Sequence, residues 1–332
     1  MTSPQVSVLV PTRNAAPFLP TMLRSILTKP DVDLEVIVID DGSTDGSGDV
    51  ARRFGDNRVR VISTDGVGIS KAFNAGLEAA RGEVITRCDA DDLYPPGRLS
   101  RQVQWLRLYE EFGAVCGGFA TVSPRGRLIT DMKCGDVPRE VTGELRRGVV
   151  RTHFCTFAVR TELLRKLGGC REFFVTGEDI DLQLRIGDAA RVWYQPQRTY
   201  MYRLHNASIT HTLGVPLRSF FEDTARRLQR QRQAEGADDL DRDLLPPPDG
   251  DGKSDPPGML SDQIQGLLLG TAWEQHHSGS KIRSIVTGFR AGLTRPARLP
   301  VWRSVAALIV KPSGRSHVDP KASHEPALTP PG

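Results

Sequence analysis

The alternation of short apolar runs with helical patterns over residues 6–92 constrains the fold of this chain more than any other feature. Val6–Val10 is a β-branched run, and Leu34–Ile39 is continuously apolar, as expected of a strand buried on both faces. Apolar residues at helical spacing occupy Ala16–Leu27 and Ile69–Ala80. This order predicts right-handed βαβ crossovers, and therefore an α/β fold with a mainly parallel sheet covered by helices.

Acidic clusters follow two of the predicted strands. Asp40 and Asp41 come after Leu34–Ile39, and Asp89–Asp92 follows Val84–Cys88. Ligands of such sheets bind beyond the carboxyl ends of the strands, where both clusters should lie. Carboxylates together with phosphate oxygens hold a hard divalent cation, Mg²⁺ or Mn²⁺. A D-x-D motif by itself equally fits an acidic turn that caps a helix, but the mutual repulsion of three close carboxylates favours a bound cation.

The composition excludes several classes of protein. The net charge of +4 over 332 residues argues against a dedicated nucleic-acid binder. Five cysteines without a C-x-x-C pair indicate a reducing compartment rather than a disulfide framework or a zinc site. The N-terminus does not read as a signal peptide, and no apolar run approaches the roughly 18 residues of a membrane span. We therefore expect a cytoplasmic protein that lies at most peripherally on the inner face of the membrane.

Three segments carry a family resemblance: VSVLVPTRNAAPFLPTMLRSIL, LEVIVIDDGSTDGS and GISKAFNAGLEAARGEVITRCDADDLYPPGRL. In this order and at this spacing they resemble the family 2 glycosyltransferases, densely over about Val6–Leu99 and with later matches to about His211. The resemblance implies the GT-A fold, a Rossmann-like, mixed and mainly parallel sheet flanked by helices. It also implies an inverting transfer of a sugar from a nucleotide-diphosphate sugar, with a UDP-sugar favoured, to an acceptor hydroxyl.

The resemblance also assigns roles to residues. The implied donor-binding residues are Pro11, Thr12, Arg13, Asp40, Asp41, Lys71, Asp89, Asp92 and Arg203. The implied ligands of Mn²⁺ or Mg²⁺ are Asp91 and His205. Asp179 matches the base that deprotonates the acceptor, and Glu178 is its neighbour for acceptor binding.

Each assignment has a purely structural alternative. Asp40 and Asp41 could simply form a turn, and Glu178 and Asp179 could stabilise a helix N-terminus through its dipole. Lys71 could be a solvated surface lysine, and His205 a structural histidine. The chain departs from the family at Phe73, where many members have Arg.

The reaction type has alternatives as well. The Q-x-x-R-W motif of processive synthases is absent, which predicts a single-addition enzyme that serves polysaccharide, glycolipid or glycoprotein synthesis. A nucleotidyltransferase would need a Gly-rich loop after the first strand, where this chain has PTRN. A catalytically inactive glycosyltransferase-like binding module is the second alternative, although Asp41, Asp91 and Asp179 are all retained.

The predicted organisation has five parts: a catalytic domain (1–215), a helix (216–235), a Pro/Gly/Asp-rich flexible linker (236–258), a helical C-terminal appendage (259–311) and a disordered tail (312–332). The appendage interleaves arginines with apolar residues. It could lie on an anionic membrane surface, or pack on the catalytic domain or on a second subunit of a homo-oligomer.

Overall fold

The computed structural model describes residues 3–28, 32–132, 135–205, 215–245 and 260–313. Within these residues the strands are β1 (Val6–Thr12), β2 (Leu34–Asp41), β3 (Val59–Thr64), β4 (Val84–Arg87), β5 (Phe112–Val122), β6 (Leu128–Met132), β7 (Arg139–Glu140), β8 (Ala158–Arg160) and β9 (Arg191–Arg203). The helices are α1 (Leu19–Leu27), α2 (Ser47–Arg52), α3 (Ile69–Ala79), α4 (Arg98–Leu108), α5 (Thr142–Arg146), α6 (Thr161–Lys166), α7 (Glu178–Ala189), α8 (Val215–Glu235), α9 (Leu260–His277), α10 (Lys281–Thr294) and α11 (Leu299–Val310). Short 3₁₀ turns occupy Phe154–Thr156 and Leu240–Arg242.

The strands form one mixed sheet in the order β3-β2-β1-β4-β8-β5-β9-β7, with β6 paired to β5. The first four strands in this order are parallel, as the strand–helix alternation predicts. β8 runs antiparallel to both β4 and β5, and β7 runs antiparallel to β9. The predicted mixed α/β sheet flanked by helices is confirmed, and its parallel part is the half that carries both acidic clusters.

Both faces of the parallel half are buried, which explains its continuous apolar runs. One face packs against α1 and α4, and the other against α3, α6 and α7. Phe73, where the sequence departs from the family, is fully buried in the second core and meets Phe154 edge-on at 6.1 Å between ring centroids. That position therefore serves packing rather than charge.

The described residues divide into two compact units. The first holds residues 3–120, 132–203 and 215–245, and the second holds 121–131, 204–205 and 260–313. In the second unit α9, α10 and α11 pack around a small core that includes Leu268, Ala291 and Val301. None of the helices in the described ranges has both the length and the apolar character needed to cross a membrane.

The first ten residues of the predicted linker, 236–245, have a defined conformation on the first unit. The carboxylate of Asp238 is buried and accepts hydrogen bonds from Arg171, at 2.6 Å, and from Arg232. Arg171 also donates to Asp241 at 2.8 Å. Residues 246–259 and 314–332 lie outside the described residues, so the rest of the linker and most of the predicted tail stay predictions, as do the domain limits.

Candidate active site

Asp41 lies buried at the carboxyl end of β2 with its carboxylate held by three donors. One oxygen accepts from the Thr64 hydroxyl at 2.6 Å and the Val67 amide at 2.7 Å, and the other accepts from the Gly68 amide at 2.9 Å. Burial alone would raise the pKa of Asp41, but these hydrogen bonds and the charge of Arg13 outweigh it and lower the pKa. The result is a fixed, ionised acceptor with lone-pair capacity left for a ligand N–H.

Three glycines build the loop around Asp41. Gly42, Gly66 and Gly68 have φ of +67°, +70° and +89°, a region that L side chains rarely adopt. A Cβ atom on Gly42 would lie 3.0 Å from the Gly66 amide nitrogen, so the two turns pack backbone against backbone. The Arg13 guanidinium lies 3.5 Å from where a Cβ of Gly66 would be. The structure thus places Gly66 and Gly68, which the sequence analysis does not single out, beside Asp41.

The other residues predicted at this end of the sheet do not share the pocket. Asp40 points to the opposite face of the sheet, towards α2, because successive side chains of a strand alternate. The expectation that Asp40 acts beside Asp41 is therefore not supported by its orientation. Pro11 and Thr12 are buried in β1, which leaves the exposed Arg13 as the side chain of this stretch that can meet a ligand. Lys71 is half exposed and pairs with Glu172 at 3.2 Å.

The three carboxylates of the acidic turn after β4 differ in how far they are buried. Asp89 and Asp91 are partly exposed, whereas Asp92 has no exposed surface. The oxygens of Asp92 accept from the Tyr200 hydroxyl at 2.5 Å and the Arg203 amide at 2.6 Å. Burial, with the charges of Asp91 and Asp89, raises the pKa of Asp92 well above its ordinary value. This geometry disagrees with the predicted contact between Asp92 and the donor. Asp92 is instead buried beneath the turn, and its hydrogen bonds stabilise the turn.

Arg203 also stabilises the acidic turn. Its side chain is buried, its Nε donates to the Asp91 carbonyl oxygen, and its guanidinium lies 5.3 Å from the centre of the Phe18 ring. Burial, the largest influence, lowers the pKa of Arg203 despite the neighbouring carboxylates. The predicted diphosphate contact would require this side chain to leave its present hydrogen bond.

Arg87 joins the acidic turn to α7. Its guanidinium donates to Asp89 at 2.7 Å and to Glu178 at 2.9 Å, and all three side chains are buried or mostly so. Burial would lower the pKa of Arg87, but Asp89 and Glu178 are among the negative groups that raise it well above its ordinary value. Sequence reasoning assigns Arg87 no role. The available signal was an arginine at the end of a short strand that the pattern predicts to be buried, because a buried charge requires partners.

Helix α7 begins with two carboxylates in different environments. Glu178 is buried against Arg87, and burial raises its pKa, an effect that Arg87 opposes and Asp179 adds to. Asp179 is partly exposed on the first turn. Gly177, with φ of +73°, precedes the helix, and a Cβ atom at this position would lie 3.3 Å from the Cβ of Phe221. Glu178, expected to contact the acceptor, therefore faces inward, and Asp179 is the more accessible carboxylate.

The turn fits a cation with oxygen ligands better than one with sulfur ligands. Ligand atoms of Asp89, His153 and Cys155 lie within 4.8 Å of one another. Burial raises the pKa of the Cys155 thiol well above its ordinary value, however, and Asp89 is already paired with Arg87. Burial is the main cause of the raised pKa of Asp92, and the charges of Asp91 and Asp89 add to it; a divalent cation at the partly exposed Asp91 would offset that second contribution. His205 is buried in the second unit, and its place as a metal ligand stays a prediction.

Known proteins share this arrangement of sheet and helices. The S. aureus TarS fragment 1–349 in complex with UDP-GlcNAc matches with a TM-score of 0.58 and 19% identity, over 92% of this chain and 83% of that one. The mannosyltransferase PcManGT from Pyrobaculum calidifontis, in complex with GDP-Man and Mn²⁺, matches with a TM-score of 0.50 and 23% identity, over 94% of this chain and 87% of that one. At these identities the matches show the fold, which is the GT-A type that the sequence predicts.

Sequence comparison supplies the family. The hyaluronan synthase of Pasteurella multocida is 29% identical over 233 residues, which are 69% of this chain and 23% of the synthase. This chain spans between 23% and 35% of the length of three curated relatives that it matches. The family model described as "Glycosyl transferase family 2" matches residues 7–168, which include Asp41 and the whole acidic turn. With the fold and the relatives in agreement, residues 7–168 of the chain are assigned to glycosyl transferase family 2.

Proposed function

We propose that this chain is an inverting, non-processive glycosyltransferase that uses a nucleotide-diphosphate sugar and a divalent cation. The observation that carries the proposal is the buried Arg87 bridge. It ties Asp89 of the acidic turn to Glu178 at the start of α7, at 2.7 Å and 2.9 Å. This ion-paired cluster thereby links the acidic turn to the first turn of α7, which also carries the proposed base Asp179.

The donor nucleotide is proposed to lie against Asp41, Arg13 and the glycine loop at residues 65–68. An ionised carboxylate accepts the ring N–H of uracil or guanine, and Arg13 supplies charge for a phosphate or ribose contact. Similar folds bind such donors, since TarS is in complex with UDP-GlcNAc and PcManGT with GDP-Man. A UDP-sugar is our first choice of donor.

The cation is proposed to be held by Asp91 together with the donor's phosphate oxygens, with Asp89 and Asp92 behind. When bound, Mn²⁺ or Mg²⁺ offsets the negative charge of the leaving diphosphate. The chain's own part is to keep the turn rigid. The Tyr200 hydroxyl and the Arg203 amide hold Asp92, and the Arg203 side chain holds the carbonyl of Asp91.

Asp179 is proposed as the general base. Its carboxylate takes the proton of the acceptor hydroxyl while that oxygen bonds to the anomeric carbon and the bond to the diphosphate oxygen breaks on the opposite face. The configuration at the anomeric carbon therefore inverts. Geometry makes a carboxylate effective here, because a base held within hydrogen-bond reach of the hydroxyl needs no large pKa shift. The proposed acceptor is a hydroxyl group of a saccharide, a lipid-linked molecule or a protein.

The test is a turnover assay with the full chain. Release of nucleoside diphosphate is measured from UDP-, GDP- and dTDP-sugars with a panel of saccharide acceptors, with Mn²⁺ and with EDTA. We expect one donor class to be used, loss of turnover in EDTA, and a drop of about 10²- to 10⁴-fold in kcat for Asp179→Asn. Asp223→Asn, at an exposed position of α8, is the matched control and should retain full activity.

Two results would count against the proposal. Full turnover of Asp91→Ala in EDTA would remove the metal assignment, and normal turnover of Asp179→Asn would remove the base. Folded protein that neither binds nor turns over any donor would favour the inactive binding module instead.

A further inference from the structure

Helix α10 of the second unit turns its large apolar side chains to solvent. Ile282, Val286, Phe289 and Leu293 are between 43% and 80% exposed. Their spacing of four, three and four residues places them on one face of the helix. A single exposed leucine is ordinary, but a continuous stripe over the whole helix indicates a surface that something covers.

The opposite face of α10 holds the helix in this orientation. Its buried residues are small: Ser284, Thr287, Gly288, Ala291 and Gly292. A Cβ atom on Gly288 would lie 2.8 Å from the Leu308 side chain, and one on Gly292 would lie 2.8 Å from the Trp302 ring. Rotation of the helix to bury its stripe would therefore push large side chains into space that accommodates only glycine. The outward stripe is a consequence of the packing.

Helix α11 extends the exposed surface. The Trp302 ring meets Phe289 edge-on at 5.9 Å between ring centroids, and its indole N–H donates to the Pro296 carbonyl at 2.8 Å. Leu299 is exposed on the same helix, three residues before Trp302. We call the six residues Ile282, Val286, Phe289, Leu293, Leu299 and Trp302 the apolar stripe.

The charge of this region is one-sided. From Gln275 to Ser313 the sequence has seven Lys and Arg residues and no Asp or Glu, although the chain as a whole is nearly balanced, at 44 basic and 40 acidic residues. Arg283, Arg290 and Arg298 are exposed around the apolar stripe. An apolar stripe bordered by cationic side chains matches the interfacial region of a bilayer with anionic headgroups.

We propose that the apolar stripe docks on the surface of a membrane that contains anionic phospholipid. Large apolar side chains would enter the boundary between headgroups and acyl chains, and the arginines would meet lipid phosphates. A second copy of this chain is a poorer occupant, because symmetric pairing of the stripe would bring the basic residues of two copies together. This inference concerns α10 and α11 alone and does not depend on the proposed chemistry.

The test is co-sedimentation of the full chain with vesicles of phosphatidylcholine alone or with added phosphatidylglycerol. We expect binding to the anionic vesicles only, and loss of that binding as salt screens the charges. The double variant Val286→Ser/Leu293→Ser should weaken binding by about tenfold or more, since it removes apolar area that enters the bilayer. Both positions are exposed, so the variant should fold, which a melting curve verifies. Leu108→Ser removes an equally exposed apolar residue of α4 and should bind like the parent chain.

Three outcomes would overturn the proposal. The first is failure of the folded parent chain to bind anionic vesicles at low salt. The second is equal binding by the double variant. The third is concentration-dependent dimerisation without lipid that the double variant abolishes, which would make a second copy the occupant.

Discussion

Arg87 is the side chain through which the acidic turn and the start of α7 hold their relative position. It is buried, and so is its partner Glu178, so each charge depends on the other. Water cannot replace a missing partner at such a position, and the desolvation cost of the remaining charge then falls on the folded state. Arg87 touches no proposed reacting atom, and we regard it as a positioning residue.

Replacement of Arg87 by Met should lower the free energy of unfolding by about 3–5 kcal/mol, because it leaves the buried Glu178 and the partly exposed Asp89 without their cationic partner. The loss of stability should be largest above the folded-state pKa of Glu178, which burial raises. It should shrink as the pH falls, because protonation of Glu178 removes the unpaired charge. Urea denaturation at about pH 5 and about pH 8 measures both effects.

Two further variants make the Arg87 result interpretable. Arg87→Lys keeps the charge without the two-pronged geometry, so it should fold and show reduced kcat at unchanged pH optimum if Arg87 acts only by position. Arg107→Met breaks an exposed pair with Glu83 and should cost less than about 1 kcal/mol. Equal losses for Arg87→Met and Arg107→Met would contradict the account.

At the scale of elements, β2 is tied to its neighbours by one buried carboxylate. Glu35 accepts from the Ser7 hydroxyl of β1 at 2.8 Å, from Arg60 of β3 at 2.7 Å and from Arg81 after α3 at 2.8 Å. Burial would raise the pKa of Glu35, but these hydrogen bonds outweigh it and lower the pKa. The start of the strand that ends in Asp41 is thereby held from both sides.

Glu35→Gln should lower the free energy of unfolding by about 1–3 kcal/mol at neutral pH, because hydrogen bonds from charged donors are lost. A lowered folded-state pKa contributes stability that is present above the unfolded pKa and lost as the pH falls through the folded pKa. The difference between the parent chain and the variant should therefore narrow below about pH 4. Thermal melts across that range check it, and a constant difference would show that Glu35 is not ionised in the fold.

The elements themselves could be predicted from the sequence, whereas the burial of the individual carboxylates could not. Periodicity reveals β1, β2 and α3 because each follows a local pattern. The exposure of Asp91 and the burial of Asp92 are set by Tyr200 and Arg203 of β9, more than a hundred residues away along the chain. Likewise Asp40 matches the family motif, but strand alternation turns it to the opposite face. Motif matching identifies a candidate stretch, and tertiary contacts decide which of its side chains are accessible.

At the scale of the whole molecule, the candidate site extends beyond the segment that matches the family model. Residues 7–168 contain Asp41 and the acidic turn, but Glu178 and Asp179 on α7 and the supporting Tyr200 and Arg203 lie after it. The ordered start of the predicted linker reaches the same unit, since Asp238 binds Arg171 and Arg232. The proline, glycine and acidic residues of this segment suggest a flexible linker. Sequence composition cannot show that its acidic residues pair with arginines elsewhere in the chain.

Asp41 and the acidic turn are proposed to form a metal-dependent site for a nucleotide sugar. A thermal-shift panel of UDP-, GDP- and dTDP-sugars, each with and without Mn²⁺, tests it most directly, because a ligand that binds the folded state raises its melting temperature by mass action. We predict one selective shift that requires Mn²⁺, that is lost in Asp91→Asn, and that is weakened in Asp41→Asn. A shift with no donor in folded protein, or an equal shift in Asp91→Asn, would contradict the account.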